Sequence, residues 1–182
     1  MSVGRTGRTR LLGPGWSSRV SQWMMRSQIK SIQRGVTAGL AASTINAVVM
    51  ANSRLRLLGW QNNNDTQDLD FVLLTFTNNT TITPSATTAG GIVGVSFEVT
   101  EYQPGVIKSI QRATMGSNTT ATITAVDVTK SEIDFLGNVT SDATLADFAH
   151  CSVRLTNSTT VTSSLAGGAG GITAGFQVVE WF

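Results

Sequence analysis

The chain has 182 residues, of which 13% are charged, and its formal net charge is +2. Its single cysteine excludes an internal disulfide framework, and no apolar run approaches the roughly 20 residues that a membrane-spanning helix requires. Abundant threonine, serine, asparagine and glycine favour short strands joined by tight turns over helices.

Charge is distributed unevenly along the chain. Residues 1–64 contain nine Lys or Arg and no acid, whereas residues 65–182 contain four Lys or Arg and all 11 acids. Such an asymmetry indicates a partner surface rather than a particular fold. An acidic protein face, a nucleic acid or another subunit could each be that partner.

Residues 1–28 are predicted to form a basic N-terminal arm, extended or partly helical. Residues 1–15 have too little apolar material to fold alone, and a short amphipathic helix is predicted from Trp16 to Ser27. Candidate anchor or interface residues in the arm are Arg5, Arg8, Arg10, Trp16, Arg19, Trp23 and Arg26. Arginine and tryptophan are favoured at protein interfaces and could also grip phosphates and stack on bases. Because their spacing matches no nucleic-acid motif, we rank a protein interface above nucleic-acid binding.

A hexapeptide, Ile-Lys-Ser-Ile-Gln-Arg, occurs at residues 29–34 and again, unchanged, at residues 107–112. Gapless alignment of residues 29–59 with 107–137 gives 13 identities among 31 pairs, and after one inserted residue the match continues to the ends of both copies. The sequence therefore predicts a duplicated module behind the arm. Its parts are module 1 at 29–102, a linker at 103–106 and module 2 at 107–182.

Within each module, apolar and polar residues alternate with the period of two that is typical of β-strands. Strands are predicted at 29–36, 44–50 and 54–58, at the matching 121–128 and 132–136, around 72–76 and 151–155, and at the closing segments 92–101 and 172–180. We expect about six antiparallel strands per module, and an all-β fold of two tandem small sandwiches or barrels. Proline and glycine in the linker are expected to stop one sheet from running into the next.

No grouping for catalysis or for a metal is visible, so we predict neither enzymatic activity nor a cofactor. The one histidine, His150, precedes the one cysteine, Cys151, and neighbours on a strand face opposite sides. One His and one Cys cannot build a zinc site. Aligned carboxylates are Glu101 with Glu180 and Asp68 with Asp147. Nothing in the sequence brings two of them together within one module, as a paired acid and base would require.

One pair of positions reverses its charge between the copies. Arg54 and Arg56 align with Glu132 and Asp134, and each pair flanks one apolar residue. By strand alternation both members of a pair face outward, so the same patch is positive in module 1 and negative in module 2. We hypothesise that these patches meet, between modules of one chain or between subunits. Solvated charges on a sheet face are the alternative, since exposed pairs contribute only about 0–1 kcal/mol.

The repeated sequence resembles a module of tailed-bacteriophage and prophage virion proteins. The resemblance is carried by Ile-Lys-Ser-Ile-Gln-Arg, by Thr-Ala-Thr-Ile-Thr-Ala-Val-Asp at 120–127, by Lys-Ser and Phe-Leu-Gly at 130–131 and 135–137, by Val-Arg-Leu-Thr-Asn-Ser-Thr-Thr-Val-Thr at 153–162, and by Phe-Gln-Val-Val-Glu at 176–180. Module 2 fits along most of its length. Module 1 fits at both ends and departs in the middle, with Asn46, Val49 and Asn52 in place of Thr124, Asp127 and Lys130. The arm lies outside the resemblance.

The resemblance implies a non-enzymatic virion structural protein, either a capsid decoration or a neck or tail accessory. The expected partners are further copies of the chain, with a trimer favoured, and other virion proteins; no membrane partner is expected. Nucleic acid ranks below these. An adhesin or carbohydrate-binding module at a tail or fibre is the alternative function, for which Trp60 is the one good candidate for stacking on a sugar.

Overall fold

A computed structural model describes residues 28–63, 71–87, 91–140, 150–165 and 171–182. In module 1 the strands are β1 (Ile29–Val36), β2 (Ser43–Thr44), β3 (Ser53–Asn62), β4 (Leu73–Asn78), β5 (Thr81–Ser85) and β6 (Ile92–Tyr102). In module 2 they are β7 (Ile107–Gly116), β8 (Thr120–Thr122), β9 (Ser131–Thr140), β10 (Cys151–Asn157), β11 (Thr160–Leu165) and β12 (Ile172–Trp181). One short 3-10 helix precedes β3 and another precedes β9, at Met50–Asn52 and Val128–Lys130. The predicted all-β fold is confirmed.

Each module is a sandwich of two antiparallel three-stranded layers. In module 1 the layers are β1-β6-β3 and β2-β5-β4, and in module 2 they are β7-β12-β9 and β8-β11-β10. The apolar residues of alternate positions fill the space between the layers. Module 1 buries Leu55, Val95, Phe97 and Val99 from one layer against Leu74 and Ile82 from the other. Module 2 buries Met115, Ala174, Phe176 and Val178 against Val161.

The sheets of the two modules are joined, contrary to the expectation from the linker. The β2-β5-β4 layer of module 1 and the β9-β12-β7 layer of module 2 form one six-stranded sheet, in which Leu73 of β4 pairs with Gly137 of β9. Proline and glycine do interrupt the chain between β6 and β7. The join occurs elsewhere, because β4 and β9 are both edge strands of their own layers and edge strands offer free backbone groups for pairing.

The predicted strands at 44–50 and 121–128 are wrong over most of their length, since β2 and β8 end at Thr44 and Thr122. In each of these segments, a glutamine of the repeated hexapeptide makes hydrogen bonds to the backbone in place of a neighbouring strand. Gln33 accepts from the backbone N–H of Asn46 at 2.7 Å and donates to its carbonyl at 3.1 Å. Gln111 does the same for Thr124, at 2.6 and 2.9 Å. The backbone of Asn46 and of Thr124 is thus satisfied by a side chain. The N–H groups of Ile45 and Val48, like those of Ile123 and Val126, donate to carbonyls of the turns that follow β4 and β10, so neither segment forms a strand ladder.

Two buried carboxylates hold the same irregular segments in place. Glu101 accepts from the ammonium of Lys30 at 2.9 Å, from the hydroxyl of Ser31 at 3.3 Å and from the backbone N–H of Val49 at 3.0 Å. Glu180 accepts in the same way from Lys108 at 2.7 Å, Ser109 at 3.1 Å and the N–H of Asp127 at 2.9 Å. Each residue is 2% exposed. The Lys-Ser of the hexapeptide is thus repeated because it completes a structural carboxylate site.

Both carboxylates have a pKa below their ordinary value. Burial raises the pKa of Glu101, but the hydrogen bonds from Val49, Lys30 and Ser31 together outweigh it. The hydrogen bond from the N–H of Asp127 is the largest influence on Glu180 and lowers its pKa, and the bond from Lys108 lowers it further. A carboxyl group whose pKa is lower in the folded than in the unfolded state stabilises the fold above the unfolded pKa and loses this effect on acidification.

We expect Glu101→Gln and Glu180→Gln each to lower the free energy of unfolding by about 1–3 kcal/mol at pH 7, because each loses charge-assisted hydrogen bonds. The difference from the unsubstituted protein should shrink as the pH falls below the ordinary carboxyl pKa of 4.5 and through the lower folded-state value. Urea unfolding at a series of pH values measures this. A difference that stays constant down to pH 3 would contradict the assignment.

Candidate functional site

The two modules meet through an ion pair of Arg54 with Asp134. The guanidinium donates two parallel hydrogen bonds to the carboxylate, Nε to Oδ2 at 2.7 Å and Nη2 to Oδ1 at 2.6 Å, and Nη1 lies 2.8 Å from Glu132. The side chains of Arg54 and Asp134 are only 18% and 14% exposed. The hydrogen bond with Asp134 raises the pKa of Arg54. A bidentate pair at this level of burial is stronger and more specific than a surface pair.

The second arginine of the predicted patch does not take part in this contact. Arg56 lies 3.6 Å from Glu98 of its own module, and its side chain is 49% exposed. The patches hypothesised from the sequence therefore meet within one chain through Arg54, Glu132 and Asp134. Arg56 remains on the outer surface of module 1.

Gln177 is a fully buried amide at the centre of the contact. It lies on β12, where its Nε2 donates to the carbonyl of Leu55 at 2.6 Å and to Asp134 at 2.8 Å. Its Oε1 accepts from the N–H of Leu55 at 3.3 Å. Leu55 is on β3, which is an edge strand among the described strands, so its lateral backbone groups face no strand of that part of the chain. One amide side chain thus does for this edge what a further strand would do.

Arg112, the last residue of the second hexapeptide, completes the polar centre. It donates to the carbonyl oxygens of Ser53 and of Met50, the latter at 3.3 Å, and to Oε1 of Gln177 at 3.1 Å. Its guanidinium also lies 4.9 Å from the ring centroid of Phe76. Burial lowers the pKa of Arg112 to about 10, so the side chain stays positively charged at neutral pH.

The identical arginine of the first hexapeptide has a different environment. Arg34 is 63% exposed and pairs with Glu98 at 2.6 Å, both on the outer surface of module 1. Glu98 aligns with Gln177, as Arg34 aligns with Arg112. The same residue type is a surface cation in module 1 and the polar centre of an interface in module 2.

Apolar packing surrounds this polar centre. Leu136 of β9 is 3% exposed. Although it belongs to module 2, it packs into the buried apolar cluster of module 1. Beside it, Gly137 has a φ of +93°, and a Cβ atom there would lie 1.8 Å from the carbonyl oxygen of Val72. Gly175 leaves room for the side chain of Leu73, which would lie 2.2 Å from a Cβ atom. Two glycines therefore permit the close approach of the modules.

A cavity of about 260 Å³ lies between β4 and the β7 and β12 strands of module 2, next to the polar centre. Its lining includes Leu74, Thr75, Phe76, Arg112, Thr114 and Phe176. Arg112 is the one titratable side chain among the residues that line it. The cavity therefore holds no pair of groups that could act as acid and base.

His150 and Cys151, the pair considered from the sequence, have structural neighbours. The ring of His150 packs against that of Phe71 at a centroid distance of 4.8 Å. Cys151 packs partly buried against the core of module 2, and burial raises the pKa of its thiol, which disfavours the reactive thiolate. Among the described residues, no cluster of three or more His, Cys, Asp or Glu side chains could hold a metal ion.

Other predicted site residues are placed as follows. The arm residues Arg5, Arg8, Arg10, Trp16, Arg19, Trp23 and Arg26 lie outside the described residues, as do Asp68 and Asp147. Trp60, the candidate for sugar stacking, lies near the end of β3 and is 37% exposed. Within the described ranges, no helix has the length and apolar character needed to cross a membrane.

Sequence reasoning missed Arg112, Gln177 and Leu136. Arg112 and Leu136 are identical in the two copies, so a comparison of the copies carries no sign that they act differently. Gln177 does carry a signal, because it replaces a glutamate of module 1 beside an arginine that is unchanged. Loss of a carboxylate next to a retained arginine indicates that the arginine has found other partners.

Comparison of the chain with protein-family models, curated proteins and solved structures finds no match.

Proposed function

We propose that this chain is a non-enzymatic structural protein of a bacteriophage virion, which assembles on the particle as a capsid decoration or as a neck or tail accessory. The arm is its anchor, and its β modules provide surfaces for assembly. The resemblance of the repeated module to virion proteins is the basis for proposing a location in the virion. The structure contributes one observation in support, which is the contact between the modules.

That contact supports a role in assembly because it is specialised for holding one module on another. A bidentate ion pair, a buried amide and a partly buried arginine come together there. The module 1 counterparts of Asp134 and Arg112, which are Arg56 and Arg34, are exposed. Such features give orientation and specificity to an interface. A chain whose own halves associate in this way is suited to adding units to an ordered particle.

Deletion of residues 1–28 tests the proposed division of roles. Among the described residues the first strand begins at Ile29, so we expect the shortened protein to fold and to self-associate but to lose attachment to particles that lack this protein. A full-length variant with Arg5, Arg8, Arg10, Arg19 and Arg26 replaced by glutamine is the matched control for charge alone. Co-sedimentation with particles measures attachment, and light scattering measures self-association.

Attachment that survives the deletion would move the anchor to the modules and leave the arm's charge to be explained by DNA or subunit contacts. Failure of the full-length protein to bind particles of any kind would contradict the virion role itself. Binding to bacterial surface polysaccharide that is lost in Trp60→Ala would favour the adhesin alternative, since aromatic side chains supply the stacking surface for sugars.

A further inference from the structure

The contact between the modules uses an edge of one module and a face of the other. Module 1 contributes the edge formed by β3 and β4, and module 2 contributes the outer face of its β7-β12-β9 layer. Duplication provides each surface twice. We name the second pair the module 1 face, on β1-β6-β3, and the module 2 edge, formed by β10 and by the part of β9 before Gly137, where β9 pairs with Leu73 of β4.

Apolar residues on these two surfaces are exposed where their counterparts are buried. Leu58 on the module 1 face is 53% exposed, whereas its counterpart Leu136 is 3% exposed in the contact. On the module 2 edge, Val153 is partly buried, whereas its counterpart Leu74 is fully buried. The module 1 face therefore carries an exposed leucine, and the module 2 edge has a less buried apolar residue than the module 1 edge that packs against Leu136.

Charge reversal makes the module 1 face and the module 2 edge complementary. In the contact, the edge residue Arg54 binds the face residue Asp134. The counterpart edge residue is Glu132, which lies 2.8 Å from Arg54 within the chain and keeps a side chain 51% exposed. The counterpart face residue is Arg56, which lies 3.6 Å from Glu98 and is 49% exposed. Both signs are reversed relative to the contact between the modules. The acidic module 2 edge would therefore meet the basic module 1 face, and the two surfaces would still attract.

The same charges discourage other pairings. A module 1 edge placed on the face of another module 1 would bring Arg54 against Arg56, and a module 2 edge on a module 2 face would bring Glu132 against Asp134. Like charges that face each other at an interface are unfavourable and select against such partners. The module 2 edge on the module 1 face is the combination in which opposite charges meet.

The arginine of the hexapeptide is also available on the module 1 face. Arg34 is the counterpart of Arg112 and is 63% exposed. In an equivalent contact it would reach the carbonyls of Val128 and Ser131, the counterparts of Met50 and Ser53. One position differs, because Glu98 cannot donate a hydrogen bond as Gln177 does. The second contact is therefore expected to be weaker than the first.

We propose that copies of this chain associate head to tail, with the module 2 edge of one copy docked on the module 1 face of the next. The contact repeats the geometry of the contact between the modules, so that alternating modules form one continuous series. A heterologous contact of this kind closes into a ring when its rotation permits, and a ring of three copies would contain six modules. This inference rests on the self-association included in the proposed function, and it specifies the two surfaces through which copies associate.

Cysteine cross-linking of the full chain tests the contact. In a Cys151→Ala background, Leu58→Cys and Ser152→Cys are combined, because their counterparts Leu136 and Leu73 both lie against Gly175 in the contact between the modules. Both positions are exposed, so the fold should tolerate the changes. After treatment with a short bismaleimide, we expect covalent dimers and higher oligomers, because each copy offers its two positions to two different neighbours. Each single-cysteine variant should remain uncross-linked, since head-to-tail contact brings together different positions.

Cross-linking of Leu58→Cys alone would overturn the proposal, because it indicates a two-fold contact of identical faces. An oligomer that forms without cross-links between the two positions would overturn it as well, and so would a protein that stays monomeric at all concentrations. Leu58→Glu in the otherwise unchanged chain should convert the oligomer to monomer while leaving the circular dichroism spectrum intact. Cross-linked rings that bind no particle would leave the inference standing and refute the virion role.

Discussion

Replacing Arg112 with methionine is expected to lower the free energy of unfolding by about 2–4 kcal/mol, whereas the same replacement at Arg34 should cost at most about 1 kcal/mol. The two arginines occupy identical positions in identical hexapeptides. Arg112 donates to two backbone carbonyls of module 1 and to Gln177, and it lies over the ring of Phe76. Its loss removes this donor from the carbonyls of Met50 and Ser53 and leaves Oε1 of Gln177 with the N–H of Leu55 at 3.3 Å. Arg34 makes one ion pair at the surface.

Urea unfolding monitored by tryptophan fluorescence and by circular dichroism measures the effect. Because Arg112 lies between the modules, we also expect its replacement to separate the unfolding of the two modules into two transitions, while the Arg34 variant unfolds in one. Methionine keeps the length and apolar surface of the side chain, so the comparison reports the charge and hydrogen bonds. Equal losses at the two positions would show that the hydrogen bonds of Arg112 across the contact add no more stability than the surface ion pair of Arg34.

Gly137→Ala is expected to be the most damaging single methyl addition, at about 4 kcal/mol, compared with about 2 kcal/mol for Gly59→Ala. Both glycines have a positive φ, +93° and +138°, so alanine is strained at either position. At Gly59 an added Cβ atom meets nothing within 4 Å. At Gly137 it would lie 1.8 Å from the carbonyl oxygen of Val72, and a backbone atom cannot move aside without separating β4 from β9.

The difference between the two alanine variants isolates the contact of β4 with β9, because the backbone strain is shared. Thermal unfolding followed by circular dichroism provides the two stabilities. In hydrogen-exchange measurements, we expect the backbone amides of β4 and β9 to lose protection in Gly137→Ala and to keep it in Gly59→Ala. If the two variants are equally stable, the close approach at Leu73 and Gly137 does not hold the modules together.

Much of the fold is readable in the sequence because strand alternation and the repeat are local signals. The strand over 29–36, the closing strand from Ile92 and the arrangement of about six strands per module follow from the period of two. The strands predicted at 44–50 and 121–128 fail because Gln33 and Gln111 bond the backbone of Asn46 and Thr124, and neighbouring N–H groups donate to turns elsewhere in each module. Nothing in the local pattern of those segments carries this information.

The site was readable only in part, for a reason that lies in the duplication. Arg54, Glu132 and Asp134 differ in charge between the copies, and that difference indicated an interface. Arg112 and Leu136 are the same in both copies as Arg34 and Leu58, yet they are partly or fully covered in module 2 and exposed in module 1. Identical residues acquire different roles when the two modules are packed asymmetrically.

The sequence by itself determined that this protein is built from two copies of one β module, because a repeated hexapeptide and a period of two depend only on neighbouring residues. It also determined that the charges of one surface are reversed between the copies. Only the tertiary structure decided which edge meets which face, because that choice depends on backbone groups left free at strand edges and on space beside two glycines. The edge of module 1 was therefore covered by module 2, while Leu58 and Arg34 on the face of module 1 and Ser152 on the edge of module 2 stayed exposed.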